Sequence, residues 1–136
     1  METKHLMLLF SLLSLTFSRP LTYEFETKLD HQADKSTTFT MRYIVDEYYW
    51  NLQANNETAL RPILFYTGNE GNIWDFYRNT GFVTKTLAER WGALVVFAEH
   101  RYFGNSLPFP EEIAFTEPYH YYLTVEQAMG DFADLI

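Results

Sequence analysis

The sequence predicts an α/β fold in three stretches: a β-hairpin, a strand–loop–helix–strand unit and a closing helix. Three observations carry that expectation. Residues Tyr23 to Val45 hold two runs of period-two alternation, Pro62–Tyr66 and Ala93–Ala98 are short unbroken apolar runs, and Thr124–Gln127 opens an apolar stripe at helical spacing.

The chain of 136 residues suffices for one domain with a modest core, and with 47% apolar and 18% aromatic residues it is too hydrophobic to be disordered. Ten Lys and Arg stand against 18 Asp and Glu, a net charge of -8 that argues against nucleic acid as a partner, because neutralising phosphates needs a basic patch. Lys4 and His5 precede an apolar run from Leu6 to Phe17, a charged start followed by a stretch too short to span a bilayer. Thr16 and Ser18 supply small residues for a cut after Ser18, so residues 1–18 are expected to be a signal peptide and 19–136 the folded part, with no stable membrane anchor. An uncleaved anchor is the alternative. There is no cysteine, which removes a disulfide scaffold and thiolate zinc sites; no metal or other cofactor is expected.

Tyr23, Phe25, Thr27 and Leu29 alternate with charged residues, as a half-buried strand requires. Ala33–Ser36 turns the chain, and Phe39, Met41, Tyr43 and Val45 alternate again in a second strand expected to run into Tyr48-Tyr49-Trp50. The polar stretch Asn51–Thr58 reads as an exposed loop carrying an N-glycosylation acceptor at Asn56. Pro62–Tyr66 lacks alternation and suits a strand covered on both faces. Val83, Leu87 and Trp91 then recur every four residues, and Gly92 ends that helix before the second buried strand, Ala93–Ala98. Strand, loop, helix and strand make a βαβ unit. Thr124 and Gln127 fit a capping box in which each side chain satisfies a free backbone donor near the other. Val125, Ala128, Met129, Phe132, Ala133 and Ile136 follow as an apolar stripe that needs a sheet to cover.

Thr67-Gly68-Asn69-Glu70-Gly71 directly follows the first buried strand, and ligands in open α/β sheets gather beyond such carboxyl ends. Its glycines allow a sharp turn that exposes N–H groups, the requirement of an oxyanion hole; a tight turn without a ligand is the plainer alternative. No Gly-Lys-Ser or Gly-Lys-Thr follows, so a phosphate loop is not expected. The second strand ends in Glu99-His100-Arg101-Tyr102, which should neighbour that loop. Glu99 and Arg101 are candidates to pair, and His100 is either a base or, more commonly, a structural hydrogen-bonder. Ser106 sits in Gly104-Asn105-Ser106-Leu107-Pro108, which begins like a nucleophile elbow but has Pro where the last Gly belongs, and Pro108 and Pro110 break the helix an elbow needs. Ser106 is therefore rejected as nucleophile. His31 and His120 have no motif around them. The clusters Tyr48–Trp50 and Tyr119–Tyr122 are candidates to stack on a sugar or peptide, although packing is the commoner use of aromatic groups.

The runs Leu64–Gly71 and Val96–Gly104 together resemble the serine exopeptidase family of lysosomal Pro-X carboxypeptidase and dipeptidyl peptidase II. Leu29-Asp30-His31, Ser106–Phe109, Leu123–Ala128 and Asp131–Ile136 match in order and with similar spacing. The resemblance implies the N-terminal part of an α/β-hydrolase domain, left incomplete, and a Ser-Asp-His triad whose serine lies in a Gly-Gly-Ser-Tyr-Gly-Gly type elbow beyond the helix that starts at Thr124. None of the triad is then present in these residues, and the chain by itself is expected to be inactive. What carries over is the rim. Gly68, Asn69 and Glu70 look like the oxyanion-hole loop, with the Asn69 N–H as donor and Glu70 either meeting a substrate terminus or bracing the loop. Glu99, His100, Arg101 and Tyr102 look like rim scaffold. The implied partners are peptides with proline near a terminus, the implied location is the lysosome or the cell exterior, and a homodimer is left open for the full-length enzyme. Two readings of other classes stand beside this one: a non-catalytic truncated secreted isoform, and a peptide- or glycan-binding fragment.

Overall fold

In the computed structural model, residues 19–53 and 60–136 are described. The expected signal peptide and the Asn56 acceptor lie outside them. β1 (Leu21–Lys28) and β2 (Thr38–Asp46) form the hairpin, pairing antiparallel from Leu21 with Val45 to Lys28 with Thr38. α1 (Tyr48–Leu52) follows, then β3 (Ile63–Thr67), α2 (Ile73–Asn79), a π-helical turn (Phe82–Leu87) that runs into α3 (Ala88–Trp91), and β4 (Leu94–Ala98). Beyond β4 come a short α4 (Glu111–Ala114), a 3-10 turn (Tyr119–Tyr122) and α5 (Val125–Leu135). The strands lie in the order β1-β2-β4-β3, with β4 antiparallel to β2 and parallel to β3. This is the α/β architecture the sequence predicts: β3, its loop, the helices and β4 make the βαβ unit.

Four expectations need correction. The second strand stops at Asp46 instead of continuing through Tyr48-Tyr49-Trp50. The Asp46 carboxylate accepts the Tyr48 N–H at 2.9 Å, and the chain turns there into α1. Inward residues in β2 are not confined to the alternation Phe39, Met41, Tyr43, Val45, because β2 lies between β1 and β4 and has helices near both faces. Arg42, Ile44 and Asp46 are buried on one face, while Phe39 and Met41 are buried on the other. β3 has cover on both faces, Leu64 and Tyr66 against the α2–α3 core and Phe65 against α5, but the cover is partial: it is the edge strand of the described sheet, with Ile63 58% exposed. In the helix before β4, Thr84 and Ala88 form the buried line, Val83 and Leu87 flank it, and Trp91 is exposed. A π-helical turn shifts the register of whatever follows it.

The core forms on the α2–α3 face of the sheet, where Ile44, Ile73, Ala88, Val95 and Phe97 are almost fully buried. Phe97 stacks on Tyr66 with ring centroids 4.4 Å apart and meets Tyr77 edge-on at 5.3 Å. Burying a side chain of this size contributes about 1.5–3 kcal/mol, so a few such residues carry much of the fold. Gly92 closes α3 at φ 56° and returns its N–H to Glu89 O, the left-handed stop expected there.

α5 covers the opposite face with Ala128 and Phe132, which pack on Ala98 and Phe65. Only part of its expected stripe is buried: Val125, Met129 and Ile136 are exposed, and the polar Gln127 and Asp131 are buried in their place. The capping box is half formed. Thr124 Oγ1 accepts the Gln127 N–H at 3.3 Å, but the Gln127 amide turns to the hairpin, donating to Asp30 at 2.7 Å and accepting the His31 N–H at 2.8 Å. A tertiary contact has taken the side chain that the local motif would use.

Candidate active-site rim

The loop after β3 sits where the sheet's parallel pair ends, beside the carboxyl end of β4. Gly68 has no room for a side chain: a Cβ there would lie 2.3 Å from Ala98 O, 2.6 Å from His100 N and 2.9 Å from Glu99 C. All three neighbours are backbone, so nothing can swing away, and the loop is pressed directly on the end of β4. Two of its N–H groups are spent internally. The Glu70 N–H donates to Asn69 Oδ1 and the Gly71 N–H to Asn69 O, both at 2.8 Å. The Asn69 N–H makes no hydrogen bond with any described residue. Asn69 and Glu70 are exposed, so that donor stands at the open end of the sheet. Asn72 then caps α2, its Oδ1 accepting the Trp74 N–H at 3.0 Å.

The four residues after β4 divide between two jobs. Glu99 and Arg101 do not pair with each other. Glu99 lies on the α2 face and Arg101 on the α5 face, because the chain leaves the strand and turns between them. Glu99, fully buried, binds Arg42 through Nε at 3.1 Å and Nη2 at 2.5 Å. It also accepts the Ile73 N–H at 3.0 Å, the Asn105 N–H at 3.0 Å and the Ser106 hydroxyl at 2.8 Å. Gly104, at φ 58°, leaves the space this carboxylate fills, for a Cβ there would sit 1.9 Å from Glu99 Oε1. Ser106 is itself fully buried, and its Oγ also accepts the Arg42 N–H at 3.0 Å. Its hydroxyl is committed to the scaffold.

Arg101, equally buried, meets Asp131 of α5 in a two-pronged pair, Nε to Oδ2 and Nη2 to Oδ1, both at 2.7 Å. Its remaining donors reach Leu29 O, Tyr122 O and Lys28 O at 2.9–3.0 Å. The guanidinium is thus saturated, as a buried one must be. Asp131 also accepts from Thr27 Oγ1 at 2.9 Å and from His31 Nε2 at 2.8 Å. His31 and Asp131 escaped the sequence reading because no local spacing links residues a hundred positions apart; an acidic residue on the apolar side of α5 was the one available signal. His100 donates from Nδ1 to Arg101 O at 2.7 Å, a structural bond.

Tyr102 stands apart in backbone as well as in role. It adopts φ 71°, uncommon for a bulky residue and worth about 1–2 kcal/mol of strain. Its N–H donates to Ser106 O at 2.9 Å and its hydroxyl to Tyr119 O, which hold it there. Burial pushes that phenol up to about 12. The folded state favours the protonated form, so the resulting stabilisation is complete below an ordinary phenol's value of about 10 and is lost as pH rises through about 12. An ultraviolet tyrosinate titration of the natural protein should show a late phase that Tyr102→Phe reduces by one tyrosine; Tyr77, which burial and the Asp46 carboxylate also push up, remains in it. An unchanged amplitude would contradict it.

The aromatic clusters are engaged in packing. Trp50 carries the Arg61 guanidinium 3.9 Å over its ring, Tyr119 meets Phe109 edge-on at 5.0 Å, and Tyr122 lies 6.2 Å from Phe109. Among the described residues, no helix is long and apolar enough to cross a membrane.

Residues 27–136 match the family described as serine carboxypeptidase S28. The chain is 46% identical over 114 residues to lysosomal Pro-X carboxypeptidase of Homo sapiens and 48% identical over 115 residues to that of Mus musculus. Each match covers 82% of this chain but only 21% and 22% of the relative. A prolyl carboxy peptidase like protein 5 of Caenorhabditis elegans is 52% identical over 73 residues, 53% of this chain and 14% of the relative. The chain thus spans about a fifth of the length of the human and mouse relatives.

Proposed function

The chain belongs to the serine carboxypeptidase S28 family, and we propose that it forms the N-terminal part of a secreted serine exopeptidase cleaving peptides at a prolyl bond near a terminus. The observation that carries the reading is the Gly68–Gly71 loop: it is pressed onto the end of β4, and the N–H of its exposed Asn69 makes no hydrogen bond with a described residue. In the complete enzyme a serine from a later segment attacks the carbonyl at proline, and this N–H stabilises the oxyanion of the tetrahedral intermediate. A histidine takes the serine proton and returns it to the leaving amine, and an acid orients the histidine. Glu70, next to the donor and exposed, is the proposed contact for a substrate terminus. The names of the human and mouse relatives favour the carboxypeptidase over the dipeptidyl peptidase, and a lysosomal destination; the charged start and apolar run within residues 1–18 are the proposed signal peptide.

The test starts from the native product. Captured from cells with an antibody to the Asp30–Val45 region and deglycosylated, it should be several times heavier than 16.1 kDa. It should also be labelled by a fluorophosphonate and release the residue after proline from a peptide. A product near that mass, unlabelled by the probe, would overturn the enzyme reading in favour of a non-catalytic truncated form.

A further inference from the structure

We infer that Glu99 is a positioning residue for catalysis, fixing the oxyanion loop from beneath through the buried Arg42–Glu99 pair. The inference rests on the oxyanion role proposed above for the loop and names what sets its geometry.

The segment from Gly68 to Ile73 is held at both ends by the same residue. At its start, Gly68 lies against the Ala98–His100 backbone so closely that a Cβ would be 2.9 Å from Glu99 C. At its end, the Ile73 N–H, at the first turn of α2, donates to Glu99 Oε1 at 3.0 Å. Between these points the loop bonds mainly to itself, through the two donations to Asn69. The direction of the Asn69 N–H is therefore inherited from Glu99 and its backbone.

Glu99 is in turn fixed from two further sides. Arg42 of β2 grips both carboxylate oxygens, and the Glu99 N–H returns to Arg42 O at 2.9 Å. Asn105 and Ser106 close the site from the turn beyond Tyr102. Five donors converge on two oxygens, and of the five only the Ser106 hydroxyl is also able to accept. A glutamine cannot replace this carboxylate, since its NH₂ group would face the Arg42 and Ile73 donors in one orientation, or the Arg42 and Asn105 donors in the other. In the first orientation Ile73 loses its acceptor directly, and in the second the Arg42 and Asn105 contacts that fix the carboxylate are lost, so the loop's anchor is loosened either way. The expected damage is to the oxyanion donor, 2.7–3.1 Å placement of which separates a formed hole from an unformed one.

The experiment uses the natural full-length enzyme and its Glu99→Gln variant, with active sites counted by fluorophosphonate titration so that misfolded protein does not enter the rate. Expected is a fall in kcat of about tenfold or more, with KM nearly unchanged, and a matching loss of affinity for a prolyl boronate that forms a tetrahedral adduct. Affinity for a ground-state product peptide should stay within about twofold. A purely structural Glu99 would lower the number of titratable sites and leave kcat per site and boronate affinity intact, which overturns the inference. If Glu99→Gln does not accumulate, Arg42→Lys is measured in the same way, because lysine keeps the charge but loses the two-point grip. A kcat fall at unchanged KM supports the inference and an unchanged kcat overturns it. Failure of the unaltered enzyme to react with the fluorophosphonate would instead remove the serine-exopeptidase reading on which the inference stands.

Discussion

Replacing Asn69 by proline in the full-length enzyme is expected to lower kcat at least tenfold, toward the 10²–10³ typical of losing one oxyanion donor. Proline deletes the N–H together with the asparagine side chain. The Asn69 carbonyl, which accepts the Gly71 N–H, is retained. The Asn69 side chain accepts the Glu70 N–H at 2.8 Å, so the substitution also removes a loop-bracing bond. Asn69→Ala separates the two effects, since it removes the side chain and keeps the donor. The expected order is therefore a small loss for Asn69→Ala and a large one for Asn69→Pro, measured as kcat on a Pro-X peptide in variants whose far-ultraviolet circular dichroism matches the parent. Equal rates for Asn69→Pro and the parent would remove the loop from the mechanism.

Asp131→Ala is expected to produce the largest loss of stability of any single change in these residues. It strands a fully buried Arg101 guanidinium, and breaking one side of a buried pair costs about 3–5 kcal/mol. Thr27 and His31 lose an acceptor at the same time. Against a total stability of roughly 5–15 kcal/mol, that is a large share. The melting temperature should fall by on the order of 10 °C or more. Replacing both partners, Arg101→Met with Asp131→Leu, should restore only part of the loss: no charge is stranded, but Lys28 O, Leu29 O and Tyr122 O lose their donor. A fall of less than about 2 °C in Asp131→Ala would mean that the pair is not isolated from water.

The strands and helices were legible where local spacing governs them. Period-two alternation located β1 and β2, the unbroken runs located β3 and β4, and Gly92 marked the end of α3. α2 was missed because Ile73–Asn79 contains no long apolar period; its N-cap Asn72 was the available signal. Burial was less legible than element type. β2 reads as one-sided by alternation, yet its central place in the sheet buries Arg42 and Asp46. The glycine loop was readable because a strand, a turn and an exposed N–H follow from the residues themselves. The anchors beneath it were not, since the pairing of Arg42 with Glu99 and of Arg101 with Asp131 joins residues 57 and 30 positions apart. Such partners are chosen by the sheet order β1-β2-β4-β3, which no local pattern encodes.

That sheet order also dictates a schedule for the nascent chain. The hairpin β1–β2 can close as soon as it leaves the ribosome, but β3 is made before β4, its sole ladder partner among the described strands. Arg101 emerges 30 residues ahead of Asp131, roughly 2–6 s at ordinary rates of synthesis. During that interval its guanidinium has no carboxylate to enter the interior with, so water must hold it outside. The last turns of α5 therefore act as the latch that lets the β4 end, the hairpin and the 3-10 turn close together.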